Sequence, residues 1–259
     1  MSVVIVIPAR YASSRYPGKP LVALRGATGE AAPLIERTWR AAQAVSGGPR
    51  VVIATDDPRI EDTAATFGAE TVMTDPACAN GTERCADALD RLGATPDIVV
   101  NLQGDAPLTP PWFVDALIAA LRADPESAVA TPVLRCDAEA LARFRADRRA
   151  GRVGATTAVF DRHKRALYFS KEIIPFGEAA TVYHHVGVYA YTPAALAAYR
   201  SWPMGPLERH EGLEQLRFLE NALPLACVEV EARGTEFWEL NNPEDVPLVE
   251  AALAARGLA

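Results

Sequence analysis

The stretch Val3-Val-Ile-Val-Ile-Pro-Ala-Arg-Tyr-Ala-Ser-Ser-Arg-Tyr-Pro-Gly-Lys-Pro-Leu21 constrains the chain more than any other. Val3 to Ile7 are all apolar and β-branched, which suits a strand buried on both faces inside a helix-covered parallel sheet. Pro8 is expected to end it. The loop beyond carries Arg10, Arg15 and Lys19 past the strand's carboxyl end, with Gly18 where the backbone must turn tightly. Open parallel sheets bind ligands at the carboxyl ends of their strands, and three fixed cations there suit a bound polyphosphate. One such cation reads best as part of a solvated loop; three within ten residues favour an anion site. Neither familiar phosphate loop fits. Pro20 stands where a Walker A loop needs Ser or Thr after Gly-Lys, and the loop has a single glycine instead of Gly-x-Gly-x-x-Gly.

Behind this strand the pattern alternates. Helix is expected over Leu34–Val45, strand over Val51–Ala54, and helix over Pro58–Phe67 with Asp57 as N-cap and Gly68 at its end. Strands Glu70–Met73 and Ile98–Leu102 alternate with helices Thr82–Leu92 and Pro111–Leu121, before a fifth strand at Ala128–Leu134. This order predicts an α/β fold with a doubly wound, mostly parallel sheet. Strand-like Thr156–Phe160, Ala166–Phe169 and Tyr183–Tyr191 follow without full helices between the first two, so an antiparallel subsheet is expected beside it. Helices Pro193–Arg200 and Leu207–Leu219, a strand Ala226–Glu231 and a terminal helix complete the chain. No repeat or Pro/Gly/Ser linker divides it, so one domain is expected over 1–259, with a nucleotide-binding part at 1–135.

Composition excludes several classes of function. A net charge of −7 argues against a general nucleic-acid binder, so a phosphate site must be local. No apolar run reaches membrane-spanning length, and the N-terminus is expected to enter a strand directly without a signal peptide. Cys78, Cys85, Cys136 and Cys227 are scattered without a Cys-x-x-Cys pair, which implies neither zinc nor disulfides and points to a reducing, cytoplasmic setting.

Four further motifs bear on chemistry. Gln103-Gly104-Asp105 places a carboxylate just past a central strand, where magnesium would sit with a triphosphate completing its shell. The bland alternative, a cap for the next helix, is weakened by the intervening Pro110-Pro111. Gly81-Thr82-Glu83-Arg84 opens a helix whose free N–H groups and Arg84 can meet an anion, although Thr82 also reads as a simple cap. In Tyr183-His-His-Val-Gly-Val-Tyr-Ala-Tyr191 the adjacent His184 and His185 face opposite sides of a strand. At most one shares a site with Tyr189 and Tyr191, and that one is His185; such an aromatic cluster is more often core than site. In Pro206-Leu-Glu-Arg-His-Glu-Gly-Leu-Glu-Gln-Leu-Arg217, helical spacing gathers Glu208, Glu211, Glu214 and Gln215 in one arc, for which solvation is the usual explanation.

With these motifs the chain resembles the sugar-nucleotidyltransferases, and within them the CMP-Kdo synthetase (3-deoxy-manno-octulosonate cytidylyltransferase) family. That family's Pro-Ala-Arg-Tyr-x-Ser-x-Arg-x-Pro-Gly-Lys-Pro-Leu is kept at every fixed position from Pro8 to Leu21. The resemblance implies transfer of CMP from CTP to an acidic acceptor, Kdo or a Kdo-like sugar acid, with release of pyrophosphate, magnesium as cofactor, and a homodimer formed through the 155–200 region. It implies nucleotide contacts at Pro8, Ala9, Arg10, Arg15, Lys19, Gly81, Arg84 and Gln103, with Lys19, Arg15 and Asp105 catalytic. It implies acceptor contacts at Arg84, His185, Tyr189, Glu211 and Gln215, and metal contacts at Asp105 and Asn241. Residues 136–259 would then carry acceptor binding and dimerisation.

The chain departs from the family pattern at Asn80 for Ser, Ala106 for Glu after Gln-Gly-Asp, Thr157 for Lys in Val-Lys-Val-Val, and Asn241 for the second metal-binding Asp. The last three lie, by resemblance, at or near acceptor or metal, and they raise the alternative of a different small acid such as phosphonoformate. Two rivals come from other classes. A nucleotide-sugar-dependent glycosyltransferase would carry Asp-x-Asp after the fourth strand, and Gln103 stands at its first position. The Asn241 change raises a catalytically inactive nucleotide-binding protein.

Overall fold

The apolar run after Ser2 forms β1 (Val3–Ala9), buried from Val4 to Ala9. The computed structural model describes residues 1–12, 16–93, 95–151, 155–177, 180–235 and 238–259. They fall into two units, Met1–Asp115 with Arg233–Ala259, and Ala116–Ala232.

In the first unit a small hairpin, β2 (Ala23–Arg25) and β3 (Ala31–Pro33), leads into α1 (Leu34–Gln43). Then β4 (Arg50–Thr55), α2 (Pro58–Thr66), β5 (Glu70–Met73), α3 (Gly81–Leu92) and β6 (Ile98–Leu102) alternate as expected, and α4 (Pro111–Ala123) runs on into the second unit. Three parallel pairings order the strands β5-β4-β1-β6. Asp57 caps α2 by accepting the Arg59 N–H at 3.0 Å, and Gly68 follows the helix at φ 75°. The cap of α3 is Asn80, which accepts the Glu83 N–H at 2.8 Å, and not Thr82.

Pro8 does not end β1. It pairs with Ala54, and its carbonyl oxygen faces Gly104, where a Cβ would lie only 2.7 Å away. The β1–β6 ladder stops at Val6–Asn101, so the edge on which Pro8 lacks an N–H has no strand left to pair.

In the second unit the order is β7 (Val129–Arg135), α5 (Ala138–Arg149), β8 (Thr156–Phe160), β9 (Ala166–Ser170), β10 (Tyr183–His185), β11 (Val188–Tyr191), α6 (Pro193–Ser201), α7 (Pro206–Glu211), α8 (Leu216–Glu220) and β12 (Leu225–Glu229). All pairings here are antiparallel except β7 with β12. A parallel sheet with antiparallel strands added is the fold class expected from the sequence.

Three elements of this unit differ from expectation. The helix α5 carries no apolar periodicity and buries Phe144 alone, so nothing in its pattern announces it. The strand expected over Tyr183–Tyr191 is two strands on one edge of β7, because Pro132 offers no donor there and accepts the Val186 N–H at 3.2 Å. Thr131 fills the gap, its hydroxyl lying 2.9 Å from the Val188 carbonyl oxygen and 3.3 Å from that of Val186. The helix expected over Leu207–Leu219 breaks at Gly212, whose φ of 62° lets its N–H turn back to the Glu208 carbonyl at 2.8 Å.

The chain then returns to the first unit through α9 (Val246–Ala255), which joins Leu24, Leu34, Leu108 and Leu240 in one core cluster. No helix among the described residues is long and apolar enough to cross a membrane.

Candidate functional site

The loop after β1 closes on itself. The Gly18 N–H donates to the Tyr11 carbonyl at 2.9 Å, and a Cβ on Gly18, at φ 71°, would sit 3.1 Å from the Tyr11 ring. The guanidinium of Arg59 covers that ring at 3.3 Å and also pairs with Asp57. Gly18 thereby starts a 3-10 turn over Lys19–Leu21 that turns Lys19 toward Asp105, with Nζ 2.5 Å from Oδ2. Lys19 is 13% and Asp105 26% exposed, so the pair stands at the surface, half-sheltered. Arg10 is exposed at the end of β1. Arg15 lies outside the described residues.

Asp105 reaches this point through Gly104, which alone permits the close approach to the Pro8 carbonyl. Beside it Gln103 lies near Gly81 at the start of α3, where a Cβ would come within 3.0 Å of its Nε2. The structure thus gathers Pro8, Ala9, Arg10, Lys19, Gly81, Gln103 and Asp105 at the carboxyl end of the parallel strands. Arg84 is placed differently. It is 3% exposed and spends its guanidinium on Asp56 at 3.0 Å and Thr74 at 2.5 Å, inside the unit at the end of β4. Asp56 was legible in the sequence only as a residue near a strand end.

Asn241 follows a residue fixed to the site, since the Leu240 N–H donates to the Asp105 carbonyl at 2.9 Å. Asp245 does not compete there: its carboxylate accepts the N–H groups of Asn241 and Asn242 at 2.9 and 2.7 Å. Glu239 and Glu244 are exposed. No three His, Cys, Asp or Glu side chains converge among the described residues. A single carboxylate, that of Asp105, fits magnesium brought by a triphosphate, because that ion is commonly held by one or two carboxylates plus phosphate oxygens.

The second unit holds the other expected group. His185 is 6% exposed, with Nε2 2.9 Å from the Thr131 hydroxyl. That hydroxyl has a single proton, which the carbonyls of Val186 and Val188 take, so Nε2 of His185 is the donor and Nδ1 the lone-pair nitrogen. Burial first, and then His184, pushes the His185 pKa down to about 3. Burial and the charge of Arg143 lower that of His184 to about 4. His184 packs against Phe144 and His185 against Phe169 and Tyr189, each histidine with its own ring partners, as strand alternation requires. Tyr189 donates to Oε1 of Gln215 at 3.1 Å.

The acidic arc is not one surface. Glu208 is buried and accepts two bonds from Arg217 at 2.7 and 2.8 Å. Glu211 turns to the end of β9, accepting from the Ser170 hydroxyl at 2.7 Å and the Lys171 N–H at 2.9 Å. Thr157 donates to the Glu172 carbonyl at 2.6 Å and accepts the Ile174 N–H at 3.2 Å, so it pins the segment after β9.

Comparison with known proteins follows the same lines. The family described as Cytidylyltransferase matches residues 4–229. The 3-deoxy-manno-octulosonate cytidylyltransferase of Maricaulis maris is 48% identical over 261 residues, 99% of each chain. The 8-amino-3,8-dideoxy-manno-octulosonate cytidylyltransferase of Shewanella woodyi is 38% identical over 259 residues, covering 98% of this chain and 99% of its own. A solved CMP:2-keto-3-deoxy-manno-octonic acid synthetase complexed with CTP matches with a TM-score of 0.85 at 33% identity, over 99% of this chain and 100% of the other. With Lys19 and Asp105 paired at the carboxyl end of a parallel sheet and a family match from residue 4 to 229, the chain belongs to the cytidylyltransferases, enzymes that act on CTP.

Proposed function

We propose that this protein transfers CMP from CTP to 3-deoxy-manno-octulosonate or a closely similar sugar acid, releasing pyrophosphate. The observation that carries the reading is the Lys19–Asp105 pair at the carboxyl end of β1 and β6. Its two charges are those a metal–triphosphate complex needs, one for phosphate and one for the cation. In the free protein they neutralise each other, so binding exchanges Lys19's partner from carboxylate to phosphate and frees Asp105 for the ion. Magnesium bound there would neutralise phosphate charge.

In the transfer an acceptor hydroxyl gives up its proton to water as its oxygen attacks the α-phosphorus in line. A new O–P bond forms, the bond from the α-phosphorus to the bridging oxygen breaks, and its electron pair leaves with pyrophosphate. Lys19 and Arg10 hold the triphosphate and stabilise charge on the leaving group, without a covalent intermediate. His185, uncharged at neutral pH, offers the acceptor a polar ring and no cation, and Gln215 is oriented by Tyr189. By family resemblance a homodimer forms through the 155–200 region, and four free cysteines suit a reducing cytoplasm.

The test is kcat/KM for pyrophosphate release across nucleotides and acids. CTP should exceed UTP, ATP and GTP. Among 3-deoxy-manno-octulosonate, its 8-amino-8-deoxy analogue and phosphonoformate, a sugar acid should lead. Preference for another nucleotide, or for phosphonoformate, would overturn the reading.

A further inference from the structure

Asn101 is a buried amide in β6 for which no role has been given. Its neighbours Val99, Val100 and Leu102 are apolar and it is 0% exposed. Its Oδ1 accepts the Nε2–H of Gln103 at 3.2 Å, while its Nδ2 is buried with no partner. A buried donor without a partner destabilises a fold, and an apolar residue of similar size would remove the cost. Gly81 supplies an independent observation. A Cβ at that position would lie 3.0 Å and 3.2 Å from the two polar atoms of the Gln103 amide and 3.4 Å from Nδ2 of Asn101. The two amides share a space at the start of α3 that a glycine leaves open.

We propose that Asn101 is a positioning residue for nucleotide binding, acting through Gln103. By taking the Nε2–H, its oxygen fixes the rotamer of Gln103. It also sets which end of that amide turns inward, since flipping Gln103 alone would bring two oxygens together. The strand thereby sacrifices stability at Asn101 to hold a half-exposed side chain in one pose before CTP arrives. The inference rests on the reading that Gln103 contacts the nucleotide.

The experiment measures CTP dissociation constants by calorimetry with magnesium and no acceptor, together with thermal melting. The proteins are wild type, Asn101→Leu, Gln103→Ala, the double variant and Gly81→Ala. Asn101→Leu should weaken CTP about tenfold while its melting temperature holds or rises, a combination that loss of a structural contact does not give. The double variant should bind no more weakly than Gln103→Ala, because the Asn101 effect passes through that residue. Gly81→Ala, which crowds the same amide, should also lose affinity, and it serves if Asn101→Leu fails to fold. Unchanged affinity in a folded Asn101→Leu, unchanged affinity in Gly81→Ala where Asn101→Leu does not fold, or additive losses in the double variant, would overturn the proposal alone. Unchanged affinity in Gln103→Ala would overturn the nucleotide role of Gln103 and the proposal with it.

Discussion

Lys19 and Asp105 are 2.5 Å apart in the free protein, so each substitution in the pair leaves the other charge half-sheltered and unanswered. Asp105→Asn removes the carboxylate, and no cluster of acidic side chains among the described residues stands in for it. Turnover measured at saturating CTP should be nearly abolished. Lys19→Ala should raise KM for CTP and lower kcat, with kcat/KM down on the order of a hundredfold, the effect of removing one fixed stabiliser of developing charge. Unchanged CTP kinetics would remove Lys19 from the triphosphate site. Asn241→Asp should lower the magnesium concentration for half-maximal rate by about tenfold, as gain of a supporting shell group would. The same magnesium dependence in wild type and variant would put position 241 outside the metal shell. Asp105 was legible because it stands just past a buried strand, and Lys19 because it lies in the loop that follows another. The Asn101–Gln103 amide contact was not, because the space the two amides share is left open by Gly81, twenty residues earlier. The partners of Arg84 were not legible for a similar reason: Asp56 and Thr74, which hold its guanidinium, lie ten and more residues away in sequence.

At the scale of elements, β10 carries a pH dependence. His185 is neutral when folded, with a pKa of about 3, and titrates near its usual 6.5 once unfolded. Between those values the unfolded chain binds the extra proton. Stability from this residue is therefore complete above about pH 7 and lost as pH falls toward 3, by at most about 1.4 kcal/mol per pH unit. Urea midpoints at pH 7.5 and 5.5 should show a steeper fall for wild type than for His185→Gln; equal falls would mean the ring is solvated. The α7–α8 pair makes a separate claim. Glu208 and Arg217 are each 4% exposed, so Glu208→Gln leaves a buried guanidinium without its anion and should cost about 3 kcal/mol, read as a lower melting temperature, with KM for CTP unchanged. A surface-like loss under 1 kcal/mol would contradict that burial. The parallel strands were readable because burial on both faces writes them as unbroken apolar runs. The break in Tyr183–Tyr191 was not, since its cause, the missing N–H of Pro132, belongs to a strand fifty residues upstream. Gly212 was visible, but the surrounding helical spacing of glutamates outweighed it in a local reading.

At the scale of the molecule, the first unit concentrates its charge chemistry at one end of four parallel strands, and the second collects His185, Tyr189 and Gln215 around β7, β10 and β11. Family membership was legible because motifs spread from Pro8 to Arg217 agree with one another. The acceptor was less so, because Thr157 and Glu211, two of the positions that bear on it, are engaged with backbone around β9 and their roles are shared with the fold. The central claim is nucleotidyl transfer at the α-phosphorus. Phosphorus NMR of CTP with 3-deoxy-manno-octulosonate, magnesium and the protein tests it directly. The expected result is loss of the three CTP signals with equal appearance of pyrophosphate and one phosphodiester, and neither product with Asp105→Asn. Orthophosphate with CDP, or CTP left intact beside a folded protein and a sugar acid, would contradict it.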